Sequence, residues 1–521
     1  MKTKQLFKSQ LFSLAALFSM ALTAVSCANE DIAQNGKTGE NGKGFATFVA
    51  DGPAQTRTSI DYATGNFYWE EGDKIYVKDD DGTIQVSNAV DAAHAHSASF
   101  SFKVPGKFEN SATYKVYYLG KNGGGNQVTI PAAQTQTKPN TTDHLGDSGD
   151  YGTATATGTI GGDVFSFQLE HQATYLVFQP YTSNAILQNC YLTKVEVTSD
   201  NDIAETYTVN TSTGNLDASA GGKQIVLTTK DPVAGSTNEK GFSFTNAASI
   251  STADKIYMLI KPGAHTLKVR YWVKDYDTNV EGTITKVLPS FNYDKNTYYD
   301  MTANLNVRDY DGDHYYMWDA QQQYWYGYEW TKHLTGNTGQ PILNGNSSSN
   351  YAQSNSDVSR WYHEGSGAFQ ATQSCDTLPN VNEMTWYAAK GDPRWDSDEL
   401  WTTMGHLYKG GMWFKKKANI IGYDPNTAVD GTDWRTNGNA TNWSASSTLP
   451  DAADAGSYFY MPALGYYSSG QLSYVGVFGF YWSSSAHPWG SNYTYVMDFY
   501  SARVRVSNGS RSDGFRVAAF K

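Results

Sequence analysis

The sequence predicts a mainly β protein in which two β domains precede an α+β domain. Short segments of alternating apolar and polar residues, separated by Gly, Asn and Asp, recur between residues 45 and 304 of the 521-residue chain. No helix of convincing length is predicted before Asn304. The composition then changes sharply: of the 14 tryptophans only Trp69 and Trp272 precede Asn306, which leaves 12 in the last part. This change predicts a third domain of different architecture.

The N-terminus predicts export. Three lysines precede the apolar residues 11–22, which are too few to span a bilayer comfortably, and residues 1–26 therefore read as a secretory signal peptide. Its end, Ala24-Val-Ser-Cys27, resembles the lipobox of bacterial lipoproteins, although that family usually has Leu where Ala24 stands. The resemblance implies that Cys27 is acylated and that residues 27–43 form a lipidated flexible tether to the outer membrane. The alternative is an ordinary cleavage site with Cys27 incidental.

Charge and cysteine content exclude two classes of protein. A net charge of -12 argues against a nucleic-acid partner, because phosphate binding requires clustered Lys and Arg. Besides Cys27, the chain has only Cys190 and Cys375, which are far apart in the sequence. A disulfide framework is therefore not expected.

The first predicted β domain covers residues 44–162, and its first strand alternates from Phe45 to Ala50. The second covers residues 163–305 and opens with the alternation of residues 165–169. It shows its clearest strand pattern at residues 267–274. Three segments, Gly44-Phe-Ala-Thr-Phe48, Thr56-Arg-Thr-Ser59 and Phe67-Tyr-Trp-Glu-Glu-Gly-Asp-Lys-Ile-Tyr-Val77, resemble the opening of fimbrillin-type lipoproteins.

The fimbrillin resemblance implies two transthyretin-like β-sandwich domains and assembly with other pilin subunits into a fimbrium. It also implies cleavage after an arginine that follows the first strand, which here is Arg57, leaving Thr58 as the new N-terminus. Loss of residues 45–50 would open a groove for the inserted strand of a neighbour. The alternative is that Arg57 lies in an uncut connection.

The third domain, residues 306–521, contains two predicted helices. In the first, over residues 379–391, Asn380 and Glu383 have capping-box spacing and Gly391 provides the stop. The second is predicted from about Ser397 to residue 408. The motif Phe480-Tyr-Trp-Ser-Ser-Ser485 and the segment 503–517 resemble a major paralogous domain of bacterial surface proteins, similar in outline to C-type-lectin-like folds. This resemblance implies loops that bind a glycan or a protein.

No catalytic residue, cofactor or metal site is predicted. The sugar-holding motifs of calcium-dependent lectins are absent from the sequence, and Asp309-Tyr-Asp-Gly-Asp313 lacks the Glu that would complete an EF-hand, so a hairpin turn is expected there. The acidic residues near the second predicted helix offer a possible glycosidase pair, but helix capping explains them better. Those residues are Glu383, Asp392, Asp396, Asp398 and Glu399.

The binding candidates are tryptophans in Asn-, Ser-, Gly- and Asp-rich surroundings, which read as loops. We expect Ala substitution at Trp434 or Trp443 to weaken binding without changing the melting temperature. Trp386, Trp401 and Trp482 lie in apolar or strand patterns and are expected in the core. The binding candidates are Trp361, Trp395, Trp434, Trp443 and Trp489.

Together these features predict a surface-exposed fimbrial tip adhesin that is exported as a lipoprotein and presents a C-terminal recognition domain. A domain of about 210 residues after the second sandwich would leave no free strand to donate, so the subunit is expected at the pilus tip. The alternative is a glycan-binding lipoprotein that stays anchored in the outer membrane through Cys27 and never polymerises.

Overall fold

The computed structural model describes residues 2–5, 44–50, 59–61, 66–121, 123–210, 212–244, 247–310, 315–324, 326, 367–403, 405–468, 471–518 and 520–521. Strands dominate these residues, so the predicted mainly β fold class is confirmed. The strands up to Asn304 are β1 (Lys2–Gln5), β2 (Phe45–Ala50), β3 (Ser59–Asp61), β4 (Asn66–Tyr68), β5 (Tyr76–Lys78), β6 (Ile84–Val86), β7 (Phe100–Pro105), β8 (Thr113–Tyr118), β9 (Gln127–Ile130), β10 (Ala133–Thr135), β11 (Gly152–Gly158), β12 (Val164–Phe167), β13 (Glu170–His171), β14 (Thr174–Tyr181), β15 (Tyr191–Ser199), β16 (Ala204–Val209), β17 (Leu216–Gly222), β18 (Gln224–Thr228), β19 (Phe242–Ser243), β20 (Ile256–Ile260), β21 (Gly263–Lys274), β22 (Glu281–Tyr293) and β23 (Thr297–Asn304).

Both described α-helices lie in the last part of the chain. Short 3-10 helices occupy Ala92–His94, Leu187–Asn189, Lys417–Asn419 and Ala455–Ser457. The remaining elements are β24 (Tyr315–Tyr316), α1 (Val381–Lys390), β25 (Arg394–Thr403), β26 (His406–Lys415), α2 (Trp434–Asn437), β27 (Thr441–Ser444), β28 (Tyr458–Pro462), β29 (Tyr466–Ser468), β30 (Gln471–Ser473), β31 (Gly479–Ala486), β32 (Tyr493–Tyr500), β33 (Arg503–Ser510) and β34 (Phe515–Arg516).

The first β unit is one curled eight-stranded sheet. Its order is β6-β5-β8-β11-β12-β2-β7, with β13 also paired to β11. The two edges meet where Asn88 and Lys103 exchange hydrogen bonds, the Asn88 N–H to the Lys103 carbonyl and the Lys103 N–H to the Asn88 side chain. Trp69 and Ile75, predicted as core residues, are fully buried inside the curl.

The pairing of β12 differs from the sequence-based expectation. We predicted that Phe165 and Phe167 open the second domain, but β12 pairs in parallel with β2, and both side chains lie in the first core. Local alternation indicates a strand but not its partner, which here is more than a hundred residues away. Conversely, β9 and β10 pair with β16 and β18 of the second unit. The chain therefore crosses between the two units twice before β14.

The second β unit packs its two larger sheets face to face, and β17-β16-β9 form a third, three-stranded sheet. One of the larger sheets has the order β1-β23-β14-β20, and the other contains β10-β18-β15-β21-β22. The predicted alternation of β21 is confirmed, because Leu267, Val269, Tyr271 and Val273 are buried. Tyr271 meets Phe178 of β14 edge to face at 6.0 Å between ring centroids. β1 pairs with β23 but belongs to the segment predicted to leave with the signal peptide.

The last part of the chain combines a six-stranded sheet with helix α1. The sheet has the order β24-β34-β31-β32-β33-β27, and α1 buries Val381, Met384 and Tyr387 in a core shared with β32 and β33. The predicted capping box is confirmed, since Asn380 accepts from the Glu383 N–H at 3.1 Å and Glu383 accepts from the Asn380 N–H at 2.9 Å.

The predicted second helix, residues 397–408, is wrong. These residues form the hairpin of β25 and β26, and Gly405 in the turn has a φ of 77°. β25 is covered on both faces along Leu400–Thr403, so the alternation that identifies a strand is lost there. The hairpin also continues the second unit, because β25 pairs in parallel with β22 at Thr283 and Glu399. One nine-stranded sheet thus joins the second unit to the last part of the chain.

Candidate functional site

The first strand of the curled sheet has neighbours on both sides. β2 pairs in parallel with β12 and antiparallel with β7. Its buried face carries Ala46, Phe48 and Ala50, and the Phe48 ring stacks on Phe165 at 5.2 Å. Removing such a strand exposes two rows of backbone hydrogen-bonding groups and an apolar slot. The predicted processing residues Cys27, Arg57 and Thr58 lie outside the described residues.

The predicted tryptophans do not form one surface. Trp489 is 71% exposed, whereas Trp395 and Trp443 are half-buried and pack against the core around α1. Trp361 lies outside the described residues. Of those expected in the core, Trp401 and Trp482 are fully buried, as predicted, whereas Trp386 is half-buried and packs against the core around α1.

Trp434 was predicted to bind a ligand from an exposed loop, but the structure buries it. It is the first residue of helix α2, whose N-terminus is capped by Asp433, and it is only 2% exposed. Its indole N–H donates to Asp430 at 2.9 Å, and its ring stacks on Trp443 with centroids 6.4 Å apart. A polar neighbourhood in sequence indicated an exposed loop, but the polar residues turn the chain and cap the helix that buries this ring. Trp434 therefore belongs to the core.

The exposed Trp489 lies at one end of β32, in a group that we call the Trp489 patch: Gly438, His487, Trp489 and Tyr493. Gly438 has a φ of 65°, and a Cβ added there would lie 2.6 Å from the Trp489 ring, so the ring rests directly on backbone. His487 accepts a hydrogen bond from the Trp489 N–H at 3.4 Å, and burial lowers the pKa of His487. Tyr493 is also exposed. The patch can stack on a flat ligand face.

A second exposed aromatic surface was not predicted from the sequence. Tyr474 is 54% exposed and has a φ of 62°, which a bulky residue rarely adopts and which is concentrated at functional sites. It stacks on Tyr466 at 5.9 Å with an interplanar angle of 4° and meets Phe478 at 5.3 Å. Phe478 stacks on Phe480 at 5.9 Å and meets Tyr500 at 5.1 Å with an interplanar angle of 46°. We call this group the aromatic ladder: Tyr466, Tyr474, Phe478, Phe480 and Tyr500.

The acidic residues considered as a catalytic pair for glycoside hydrolysis are held in structural contacts. Glu383 caps α1, Asp392 forms an ion pair with Arg394 at 2.9 Å, and Asp398 faces Lys409 at 3.4 Å. The expectation that the residues after Asp392 cap a helix is wrong, since they lie on β25.

Asp396 and Glu399 instead form a buried joint with the second β unit. Arg270 of β21 donates to Asp396 at 3.0 Å, and Glu399 accepts from the Thr285 N–H at 2.9 Å and the Thr283 hydroxyl at 3.1 Å. Burial and the charge of Asp396 raise the pKa of Glu399 to about 7. This polar joint fixes the two parts of the chain against each other beside the β22–β25 pairing.

Cys190 and Cys375 are buried free thiols, and burial raises the pKa of both, that of Cys190 to about 12. Thiols so far from ionisation are poor nucleophiles. Among the described residues no group of three or more His, Cys, Asp or Glu side chains is arranged to hold a metal ion. Within the same residues, no helix is long and apolar enough to cross a membrane.

The chain is similar to several solved structures. It resembles candidate cell adhesion proteins of Bacteroides ovatus, at 15% identity over 50% of this chain and 93% of that one with a TM-score of 0.31, and of Bacteroides uniformis, at 15% identity over 51% and 94% with a TM-score of 0.29. It also resembles the fimbrial anchor protein Mfa2 of Porphyromonas gingivalis, at 12% identity over 47% and 82% with a TM-score of 0.24. No family model matches the chain, and no curated protein does.

Proposed function

We propose that this chain is a surface-exposed fimbrial adhesin, exported as a lipoprotein, cut after Arg57 and assembled with other pilin subunits by strand insertion. The two β units, with β12 in the first and β9 and β10 in the second, would form the assembly part, and residues 306–521 the lectin-like recognition part. The similar solved structures are described as candidate cell adhesion proteins and a fimbrial anchor protein. The support for the proposal comes from features of this chain.

The position of β2 carries the proposal. Cleavage after Arg57 would release a strand that lies between β7 and β12, so the cut chain would have a six-residue gap within its sheet. The slot left by Phe48 would be lined by Phe165, Phe108 and Tyr114. An added strand from another subunit can restore both the backbone hydrogen bonds and the apolar contacts by β-augmentation.

The last strand of the second unit supports a tip position. β23 pairs in parallel with β14 along its whole length, from Thr297 to Asn304, and Leu305 directly after it is fully buried. The chain then continues into the last part, where Asp309 and Thr402 form a bridge. A strand held at both ends is not available for donation to a neighbour. The subunit would accept a strand without donating β23.

Two aromatic surfaces, the Trp489 patch and the aromatic ladder, support a recognition role for the last part of the chain. We propose that they contact a glycan or a surface protein of a host or bacterial cell. Exposed Trp and Tyr offer large rigid contact areas at a small entropic cost. Trp489→Ala should therefore weaken cell adhesion while leaving the melting temperature unchanged.

Lipidation is tested at Cys27. The precursor of wild-type protein should incorporate labelled fatty acid, and Cys27→Ala should abolish the label and leave the precursor unprocessed. Cys190→Ala is the matched control, since that thiol is buried. Label remaining in the Cys27→Ala protein would remove lipidation from the proposal.

Processing and tip position are tested on the cell surface. Mass spectrometry of the surface form should find Thr58 as its N-terminus, and Arg57→Ala should prevent both cleavage and incorporation into fibres. Gold-labelled antibody to residues 367–521 should mark fibre ends. Label along the shafts would overturn the tip position. An uncut protein that retains lipidated Cys27 and still binds glycan would favour the alternative, an anchored lipoprotein of the outer membrane that does not polymerise.

A further inference from the structure

A carboxyl group lies at one end of the aromatic ladder, on the same face of the sheet. Tyr467 and Gly514 exchange two backbone hydrogen bonds, of 2.9 Å and 2.8 Å, so β29 runs antiparallel to the chain that enters β34. In this register Ser468 lies opposite Asp513. Because side chains alternate along a strand, those of Tyr466, Ser468 and Asp513 share the face opposite to that of Tyr467.

The contacts of these side chains agree with that register. Asp513 accepts a hydrogen bond from the Ser468 hydroxyl, and the Tyr466 ring meets Phe515 edge to face at 5.6 Å between centroids. Burial raises the pKa of Asp513 to about 6, and burial together with the charge of Asp513 raises the pKa of Tyr466. Asp513 is only half-buried. Its carboxyl can therefore accept a hydrogen bond from a ligand that rests on the Tyr466 ring.

The exposed ring of Tyr474 is held in place by the turn that follows it. The Tyr474 carbonyl accepts from the Phe478 N–H at 3.0 Å, and the Gly476 N–H donates to the Ala463 carbonyl at 2.7 Å. A ring that is already held loses little conformational entropy when a ligand binds to it. Tyr466 and Tyr474 therefore form a preformed aromatic platform beside the carboxyl.

The other end of the aromatic ladder carries hydrogen-bond donors. The Cζ atom of Arg503 lies 5.1 Å from the centroid of the Tyr500 ring. Arg503 and Arg505 both donate to the buried carboxyl of Asp498, at 3.2 Å and 2.7 Å. Both arginines are partly exposed. One carboxylate cannot neutralise two guanidinium groups, so these three side chains together have a net positive charge.

A surface with an acceptor at one end, donors at the other and rings between them fits a neutral sugar chain. One face of a pyranose ring presents C–H groups that pack on an aromatic ring, and its hydroxyl groups both donate and accept hydrogen bonds. A cationic ligand would be attracted by Asp513 but repelled by Arg503 and Arg505, and an anionic ligand would meet the reverse. A neutral ligand with hydroxyl groups suits both ends.

We propose that the aromatic ladder binds a neutral pyranose oligosaccharide, with a sugar ring on Tyr466 and Tyr474 and its hydroxyl groups donating to Asp513. This rests on the proposed recognition role and names its ligand class and its site. Asp513 adds a charged acceptor to the apolar platform and thereby orients the sugar.

The test is isothermal titration of the full chain at pH 7, where Asp513 is mostly ionised. The neutral probes are cellotetraose, maltotetraose, chitotetraose and lactose, and the charged probes are tetralysine and tetragalacturonic acid. At least one neutral sugar should bind, and added salt should change its affinity little, since the ligand has no charge. Neither charged probe should bind more tightly than that sugar.

Two substitutions locate the bound sugar. Asp513→Asn should reduce affinity by roughly tenfold, because a charge-assisted hydrogen bond becomes a neutral one. Burial disfavours the charge of Asp513, so this variant should be at least as stable as wild type. Tyr474→Asn removes the ring with a residue that tolerates the left-handed backbone there, and it should also reduce affinity by roughly tenfold. Asp451→Asn is the control, since Asp451 is an exposed carboxyl outside the ladder.

Three results would overturn the assignment: no binding of any neutral probe, unchanged affinity in either Asp513→Asn or Tyr474→Asn, or tighter binding of a charged probe. None of them affects the N-terminus of the surface form or the gold labelling of fibre ends. Conversely, an uncut, non-polymeric protein that binds a neutral sugar through Asp513 would reject fimbrial assembly and keep this site. The two proposals therefore fail separately.

Discussion

The buried Glu399 predicts that the joint between the second β unit and the last part of the chain weakens as pH rises. Its carboxyl has a pKa of about 7 in the folded protein, against an ordinary value of 4.5. The folded state thus binds the proton more tightly than the unfolded state does. The stabilisation from this carboxyl is complete below about pH 4.5 and is lost as pH rises through 7.

The size of the effect follows from the two pKa values. A rise from 4.5 to about 7 corresponds to about 3 kcal/mol of unfolding free energy, at about 1.4 kcal/mol for each factor of ten. Glu399→Gln mimics the protonated acid and can still accept from the Thr285 N–H. We expect the variant to lose this pH dependence and to be more stable than wild type at pH 8 by up to about 3 kcal/mol.

Urea unfolding between pH 5 and pH 8 measures the difference. Tryptophan fluorescence reports mainly on the last part of the chain, where 12 of the 14 tryptophans lie. Asp513, whose pKa burial raises to about 6, titrates in the same range. The quantity to analyse is therefore the difference in unfolding free energy between wild type and Glu399→Gln at each pH. Glu170→Gln, at an exposed ion pair with Lys295, is the control. Parallel pH profiles for wild type and Glu399→Gln would refute the reasoning.

Three further predictions follow from burial. Phe48→Ala should lower the unfolding free energy of the curled sheet by about 3 to 5 kcal/mol, because the ring is fully buried against Phe165. The measurement is the urea midpoint, and a loss of stability below about 1 kcal/mol would show that neighbouring side chains fill the cavity left by the ring. Trp434→Ala should lower the melting temperature by several degrees and Trp489→Ala should not; equal effects would contradict the core assignment. Cys375 should resist iodoacetamide in the native protein at pH 8 and react in urea; fast native labelling would show that the site opens.

The sequence was most informative where one face of an element is buried. The alternation of β21 and the capping box of α1 are both present as predicted, because each depends on residues close together in the chain. The pattern failed at β25, which is covered on both faces, so its residues 400–403 show no period of two. Partners of strands were equally hidden, since the pairing of β12 with β2 is set by contacts across more than a hundred residues.

The candidate site was predictable only in part. Aromatic content pointed to the last part of the chain, and exposed Trp489 lies there, but polar neighbours misplaced Trp434. Tyr474 gave no signal, because a left-handed backbone at a non-glycine residue cannot be read from composition.

The shared sheet has a mechanical consequence. Besides the covalent connection after Leu305, the β22–β25 pairing and the Arg270–Asp396 ion pair tie the last part of the chain to the second unit. Tension applied to a ligand held by the last part would load these contacts together with the covalent connection. A single flexible connection would let that part rotate freely under flow, whereas these additional contacts oppose rotation of one part against the other.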